Sequence, residues 1–341
     1  MPTLLAPARP DLDLDAEFRR IVDELTRRGL IGGGLGLAAG LGLTACGSSG
    51  SKPHETPSTT PSTRRVQGAY GPVDVPANPT RVIALSKAAV TTLLDLGLTP
   101  VGVDDGEAAV ALPQYQARIK ALPTVGDYGQ FDVEKIAALK PDLLISYDTY
   151  IDQKLYAQVK DLVPTFALKT DEGNVAWEVA TAGFANAANR NSQLAAWKKK
   201  YADQLAQAKT TYRAQLTGNR WEVIQKDDAG DFYRYLPSAD ALTVLAQLGA
   251  TLGNANAKGA NYYGNPISNE DMISHLGQAT VILGVALGIE SVTSNPLWKK
   301  LPAVTAGHAY FSNDLFISGY SGAIALLDLI EDICKKLEGN R

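Results

Sequence analysis

One pattern of apolar and polar positions organises this chain, and residues 125–148 show it most fully. Asp132 is a good helix N-cap, and Glu134 falls in the first turn, where negative charge suits the helix dipole. Val133, Ile136 and Ala137 make the expected buried stripe, and Pro141 predicts a stop near Lys140. Leu143-Leu144-Ile145 then reads as a fully buried parallel strand. Ser146, Tyr147, Asp148, Thr149 and Tyr150 follow at its carboxyl end, where open α/β sheets place their ligands. A second copy of the pattern lies downstream. Residues 267–277 again predict a capped helix, with Glu270 in its first turn and Gly277 closing it, and Val281-Ile282-Leu283 is again a buried strand.

The remaining elements fall around these two units. Val73-Asp74-Val75-Pro76 predicts a short strand, and Arg81-Val82-Ile83-Ala84-Leu85 a buried one with Ser86 and Lys87 at its carboxyl end. A helix over 88–96, strands at 101–103 and 124–125, a helix around 153–160 and a strand at 165–167 complete a β-α-β alternation, which predicts a parallel sheet with helices on both faces. Ala195, Trp197, Tyr201, Leu205, Ala208 and Tyr212 recur at helical spacing and predict one long helix over 191–216 joining two lobes. A strand at 221–225, a helix at 239–248, the Glu270 unit, a turn at Asn295-Pro296-Leu297-Trp298, a strand at 308–311 and a helix over 321–337 form the second lobe. The predicted fold class is α/β: two three-layer α/β lobes with mainly parallel sheets joined by one long rigid helix. The expected boundaries are 65–175 for the N-terminal lobe, 176–216 for the helical segment and 217–341 for the C-terminal lobe.

The N-terminus breaks the pattern. Arg27-Arg28 ahead of an apolar stretch at 30–43 resembles a twin-arginine export signal, and that stretch is too short to span a bilayer as a helix. Leu43-Thr44-Ala45-Cys46 resembles a lipobox, in which the cysteine is lipidated and becomes the first mature residue. Residues 1–45 are therefore an expected signal peptide. Residues 46–64, rich in Ser, Thr, Pro and Gly, are an expected disordered tether from a lipid anchor on Cys46. The length, 341 residues, suits two cores, and a net charge of −4 gives no sign of a nucleic-acid partner. Two cysteines, Cys46 and Cys334, rule out a disulfide framework, and Cys334 is an expected buried thiol.

Taken in order, Pro-Thr-Arg-Val-Ile-Ala-Leu (79–85), Leu-Asp-Leu-Gly (94–97), Phe-Asp-Val-Glu-Lys-Ile-Ala-Ala-Leu-Lys-Pro-Asp-Leu-Leu-Ile (131–145) and Asn-Pro-Leu-Trp-Lys-Lys-Leu-Pro-Ala-Val (295–304) resemble the periplasmic binding proteins of ABC importers for ferric siderophores, haem and cobalamin. The resemblance covers nearly the whole chain after Cys46. It implies the class III architecture, with the ligand held between the lobes and only modest closure, and a monomer that serves a permease dimer with its ATPase. It also implies that Glu134 and Glu270, one per lobe, dock to arginines of the permease. By themselves the two glutamates do no more than stabilise helix N-termini, by about 0.3–1 kcal/mol each.

The ligand is approached by exclusion. With only His54, His275 and His308, the chain lacks the converging ligands of a transition-metal site. A ferric siderophore brings its own iron, so no cofactor of the protein's own is expected, and cationic and aromatic side chains suffice to hold it. Lys87, Tyr128, Tyr147, Phe232, Tyr233, Arg234, Tyr235, Tyr262, Tyr263, Phe316 and Tyr320 are the candidates, with Arg234 the expected charge partner. Trp298 is expected to pack in the scaffold. Haem or cobalamin is the alternative cargo, and a non-transport envelope scaffold the alternative role. An enzyme is not expected. Gly319-Tyr320-Ser321-Gly322-Ala323 nearly matches a nucleophile elbow, but no histidine follows Ser321, which reads more simply as a helix N-cap, and no phosphate-cradling Gly-Lys-Ser/Thr loop is present.

Overall fold

The computed structural model describes residues 62–171, 174–227, 229–257 and 264–339. The expected export signal, Cys46, Tyr262 and Tyr263 lie outside the described residues. The fold begins at β1 (Thr63–Gly68), which pairs antiparallel with β2 (Gly71–Pro76). The expected tether therefore runs slightly too far: Arg64 is already anchored, its guanidinium donating to the carbonyls of Asn186 and Ala187.

The N-terminal sheet has four parallel strands in the order β4-β3-β7-β8, from Val82–Leu85 (β3), Gly102–Val103 (β4), Leu143–Tyr147 (β7) and Thr165–Leu168 (β8). All four residues of β3 are buried, as an unbroken apolar run between two layers requires. Helix α1 (Lys87–Asp95) follows β3, its N-terminus capped by the Ser86 side chain. A hairpin, β5 (Gly126–Asp127) and β6 (Gln130–Phe131), leads into α2 (Val133–Ala138). Asp132 caps α2 as expected, accepting from the amides of Glu134 and Lys135. Its buried stripe is narrower than expected: Ile136 is buried, Val133 half-buried and Ala137 exposed.

Helix α3 (Trp177–Ala187) closes this lobe and α4 (Asn191–Thr211) leads to the next. The single helix expected over 191–216 is broken: the backbone at Tyr212 leaves helical geometry, and a short α5 (Arg213–Gly218) continues. The buried face of α4 is carried by Leu194, Tyr201 and Ala208, while Ala195 is exposed.

In the second sheet β9 (Arg220–Lys226) is central. It pairs parallel with β12 (Val281–Gly284) and β11 (Thr251–Leu252) and antiparallel with β10 (Phe232–Arg234), and β13 (Ala309–Phe311) extends it beyond β12. Helix α6 (Asp240–Gln247) packs on this sheet. Glu270 stands in a 3-10 turn, Asn269–Asp271, capped by Ser268 and running into α7 (Met272–Leu276). Trp298 is buried in this lobe's scaffold, with its ring 5.9 Å from that of Phe311.

The last helix, α8 (Gly319–Gly339), contacts α1 and α3 of the first lobe as well as α4, α5 and α6. One hydrophobic cluster runs from Leu96, Trp177 and Ala185 through Tyr201 and Tyr320 into Val223, Leu245 and Leu283. The lobes thus share a packed core, which opposes large relative rotation. Ser321 is not the N-cap of α8: the helix has begun at Gly319, and the Ser321 amide donates to Asp95 Oδ2 at 3.0 Å. Gly319 has φ +68°, and a Cβ there would meet that same carboxylate at 2.8 Å, so the Gly-Tyr-Ser-Gly run is set by close helix packing. Cys334 is a free buried thiol.

Candidate functional site

A cleft of about 330 Å³ lies between the lobes. From the first lobe it takes Ser86, Lys87 and Ala88 after β3, Tyr147, Thr149 and Tyr150 at the end of β7, and Trp177. From the second it takes Tyr235, the N-terminal end of α6 at Asp240, and the segment 315–319 ahead of α8. The first lobe's share thus sits at the carboxyl ends of its strands, as the α/β rule requires.

Ser86 holds φ 140°, outside the range side chains prefer, because both its ends are tied: its amide donates to Asp104 Oδ1 at 3.0 Å and its hydroxyl accepts from the Ala89 amide at 3.3 Å. Lys87 then crosses the cleft, its Nζ donating to the Phe316 carbonyl at 3.1 Å and standing 5.8 Å from the Phe316 ring centre. Burial lowers the affinity of Lys87 for its proton, and Glu107 and Asp314 act in the opposite direction. Behind it Asp104 and Glu107 form a buried acid pair, both with pKa raised by desolvation first and, for Glu107, by the Asp104 charge next.

Aromatic rings line the wall in sequence. Tyr147 packs edge-on to Phe184 at 5.1 Å, Tyr150 stands 6.3 Å from Tyr147, and Tyr128, on the hairpin and 56% exposed, meets Tyr150 edge-on at 4.7 Å. Below, Trp177 contacts Tyr320 at 4.9 Å, and Tyr320 contacts Tyr201 at 5.8 Å. Burial pushes the Asp240 carboxyl up to about 8, with Glu178 adding to the shift and the Trp177 amide opposing it.

Of the residues expected from sequence, Lys87, Tyr147, Phe316 and Tyr235 line the cleft, and Tyr128 stands over Tyr150 at its edge. Tyr320 is buried beneath Trp177, in the shared core. Phe232, Tyr233 and Arg234 are outside the lining; Phe232 is fully buried in the second lobe's core. Arg234, the expected charge partner, is paired inside its own lobe. Its guanidinium forms a two-point pair with the buried Glu222 carboxylate, so its charge is satisfied within the lobe. Sequence reasoning placed Tyr150 at a ligand-bearing strand end without naming it among the candidates, and it missed Trp177 and Asp240 as lining residues and the acid pair behind Lys87. Asp240 follows a Pro-Ser-Ala run that marks a helix start, the one local signal available.

Asp240 also gives a pH prediction. Its folded pKa is raised from 3.8 to about 8, so its contribution to stability is full below the unfolded value and is lost as pH rises through the folded one. Melting temperature should fall between about pH 4 and about pH 8, and Asp240→Asn should flatten that slope. A slope identical in the variant would remove Asp240 as its source.

Among the described residues no group of three or more His, Cys, Asp or Glu side chains could hold a metal ion, and no helix is long and apolar enough to cross a membrane.

Comparison with known proteins places this geometry. The Bacillus subtilis (strain 168) lipoprotein YhfQ, assigned by name to ABC-transporter substrate binding, is 30% identical over 284 residues, covering 76% of this chain and 85% of YhfQ. The Fe(3+)-citrate-binding protein YfmC of the same strain is 25% identical over 306 residues, covering 88% of this chain and 94% of YfmC. The siderophore periplasmic binding protein from the fuscachelin gene cluster of Thermobifida fusca has the same fold, with a TM-score of 0.65 at 24% identity over 76% of this chain and 98% of that one. Residues 82–314 match the family described as Periplasmic binding protein, a span that takes in β3, both lobe sheets and the cleft lining up to Asp240, and this chain belongs to that family of binding proteins.

Proposed function

We propose that this protein is the substrate-binding lipoprotein of an ABC importer, capturing a ferric siderophore between its lobes and delivering it to the permease. The observation that carries this reading is the aromatic cleft at the junction of the two lobes in a chain of this family. A ferric siderophore holds its own iron, so rings such as Tyr147, Tyr150 and Phe316 can pack against its ligand groups without serving as metal ligands. The relatives bear on the cargo, since their names give a ferric chelate or a siderophore.

Export by a twin-arginine signal and anchoring by lipid on Cys46 complete the proposal, in keeping with the lipoprotein name of YhfQ. Two acyl chains on the cysteine suffice for stable attachment. Glu134 and Glu270, both exposed, are the proposed contacts to the permease. The receptor works as a monomer.

Trp177 in the cleft lining provides the test. Titration of the full chain with ferric siderophores, haem, cobalamin and free Zn²⁺ should give saturable quenching by a ferric siderophore. Tight binding of haem or cobalamin alone would keep the importer role and replace the cargo. Silence across the panel, confirmed by calorimetry, would favour an envelope scaffold.

A further inference from the structure

Helix α1 runs along the segment that carries the second lobe's share of the cleft, and the two are fastened at both ends. At the cleft end, Lys87 Nζ donates to the Phe316 carbonyl at 3.1 Å. Midway, a Cβ on Gly319 would stand 3.4 Å from Thr91 Cγ2 and 3.6 Å from the Thr92 amide nitrogen, so the backbones are in close approach there. At the far end, Asp95 Oδ2 accepts from the Ser321 amide at 3.0 Å. Residues 316–321 are thus laid along one helix of the other lobe.

The two ends differ. Lys87 makes its bond inside the cleft, where a ligand can reach it. Asp95 is a junction away from the lining: its Oδ1 accepts from the Tyr115 hydroxyl at 2.8 Å, on the helix Pro113–Lys120, and its carbonyl accepts from Trp197 Nε1 at 2.7 Å, on α4. Because α8 opens at Gly319, Ser321 is its third residue, the position to which an N-cap side chain offers its acceptor. Asp95 does that capping from the other lobe. An accepting oxygen is what the geometry asks for, in either protonation state. Burial raises the Asp95 pKa, and the hydrogen bonds from Ser321, Tyr115 and the Tyr320 amide oppose the shift.

Gly319, with φ +68°, sits between the cleft residues and the capped turn, and glycine alone would leave the segment free to swing. Tyr320, the next residue, packs on Trp177 under the cleft. We propose that Asp95 is a positioning residue for the ligand site. By capping α8 across the lobe junction it holds Phe316 opposite Lys87, so that the cleft is formed before the ligand arrives. The inference rests on the binding reading above and adds to it a residue that touches no ligand. Without the cap only a fraction of molecules would hold the binding arrangement, and affinity would fall by that fraction.

The test uses the full chain, titrated with a ferric tris-hydroxamate, a ferric tris-catecholate and ferric citrate, and fluorine NMR of the same protein labelled with fluorotryptophan. Asp95→Ala should weaken every chelate that the wild type binds by about tenfold. It should split or broaden the Trp177 resonance while leaving that of Trp298, in the second lobe's scaffold, in place. Asp95→Asn keeps an accepting oxygen and should restore both readouts to near wild type. Unchanged affinity with a single Trp177 resonance in Asp95→Ala would overturn the proposal. So would a loss in Asp95→Asn as large as in Asp95→Ala, or a Trp298 resonance that moves with that of Trp177. If Asp95→Ala fails to fold, Gly319→Ala, which presses a methyl against Asp95 Oδ2, should give the same two effects, and its silence would overturn the proposal equally. Binding of no chelate by the wild type would defeat the siderophore reading and leave the Trp177 resonance to decide the role of Asp95.

Discussion

Replacing Arg234 with alanine is expected to destabilise the fold by about 3–5 kcal/mol, with no loss of chelate affinity in the protein that remains folded. Glu222 is 2% exposed, on the central strand β9, and its carboxylate packs so closely over Gly253 that a side chain at that glycine would collide with it. Desolvation raises the Glu222 pKa, and the hydrogen bonds and charge of Arg234 oppose that shift. Removing the guanidinium leaves a buried carboxyl that must stay charged without a partner or take up a proton, and both are costly. Glu222 and Arg234 replaced together by apolar residues of similar volume should recover most of the loss, because no charge is then stranded. Urea midpoints for the single and double variants, with chelate titration of each, test this. An unchanged midpoint with a clear loss of affinity in Arg234→Ala would return Arg234 to the ligand site.

The same residue shows where sequence reasoning stops. The buried strands at 82–85, 143–145 and 281–283 were legible because a parallel strand between two layers must be apolar on both faces, and Asp132 was legible as a cap because its partners are the next amides along the chain. Lys87 and Tyr147 were legible as cleft residues because strand ends locate themselves by sequence. Arg234 was not, because its partner is fixed by strand pairing: β10 folds back on β9 and brings Glu222 within reach across twelve positions. Trp177 and Asp240 escaped for the same reason, since each starts a helix and enters the cleft only when the lobes pack against each other. The break at Tyr212 is also tertiary. A periodic stripe continues through it, but the chain must turn from the face of α8 to reach the start of β9. The elbow-like run at 319–323 misleads from the other direction, because its glycine serves contact with Asp95.

Changing Glu134 and Glu270 together to alanine should abolish uptake of the ferric chelate while leaving its affinity for the isolated protein unchanged. Both side chains are exposed, each in the first turn of a capped helix that follows a strand end or hairpin in its own lobe. Neither lines the cleft. Helix stabilisation of about 0.3–1 kcal/mol each cannot account for a loss of uptake in a folded protein. What two such carboxylates on separate lobes can do is fix the orientation of the receptor on a two-fold partner, one contact per subunit, where a single exposed ion pair would contribute little. The single variants should therefore show partial loss and the double variant a loss greater than their product, since a receptor held at one end only is free to rock. Opposite-charge substitution, Glu134→Lys with Glu270→Lys, should be at least as damaging, because repulsion replaces attraction. Transport assays in cells that display equal amounts of each variant, paired with chelate titration of the purified proteins, separate the steps. Normal uptake by the double alanine variant would sink the docking assignment and leave the glutamates as helix-start residues alone.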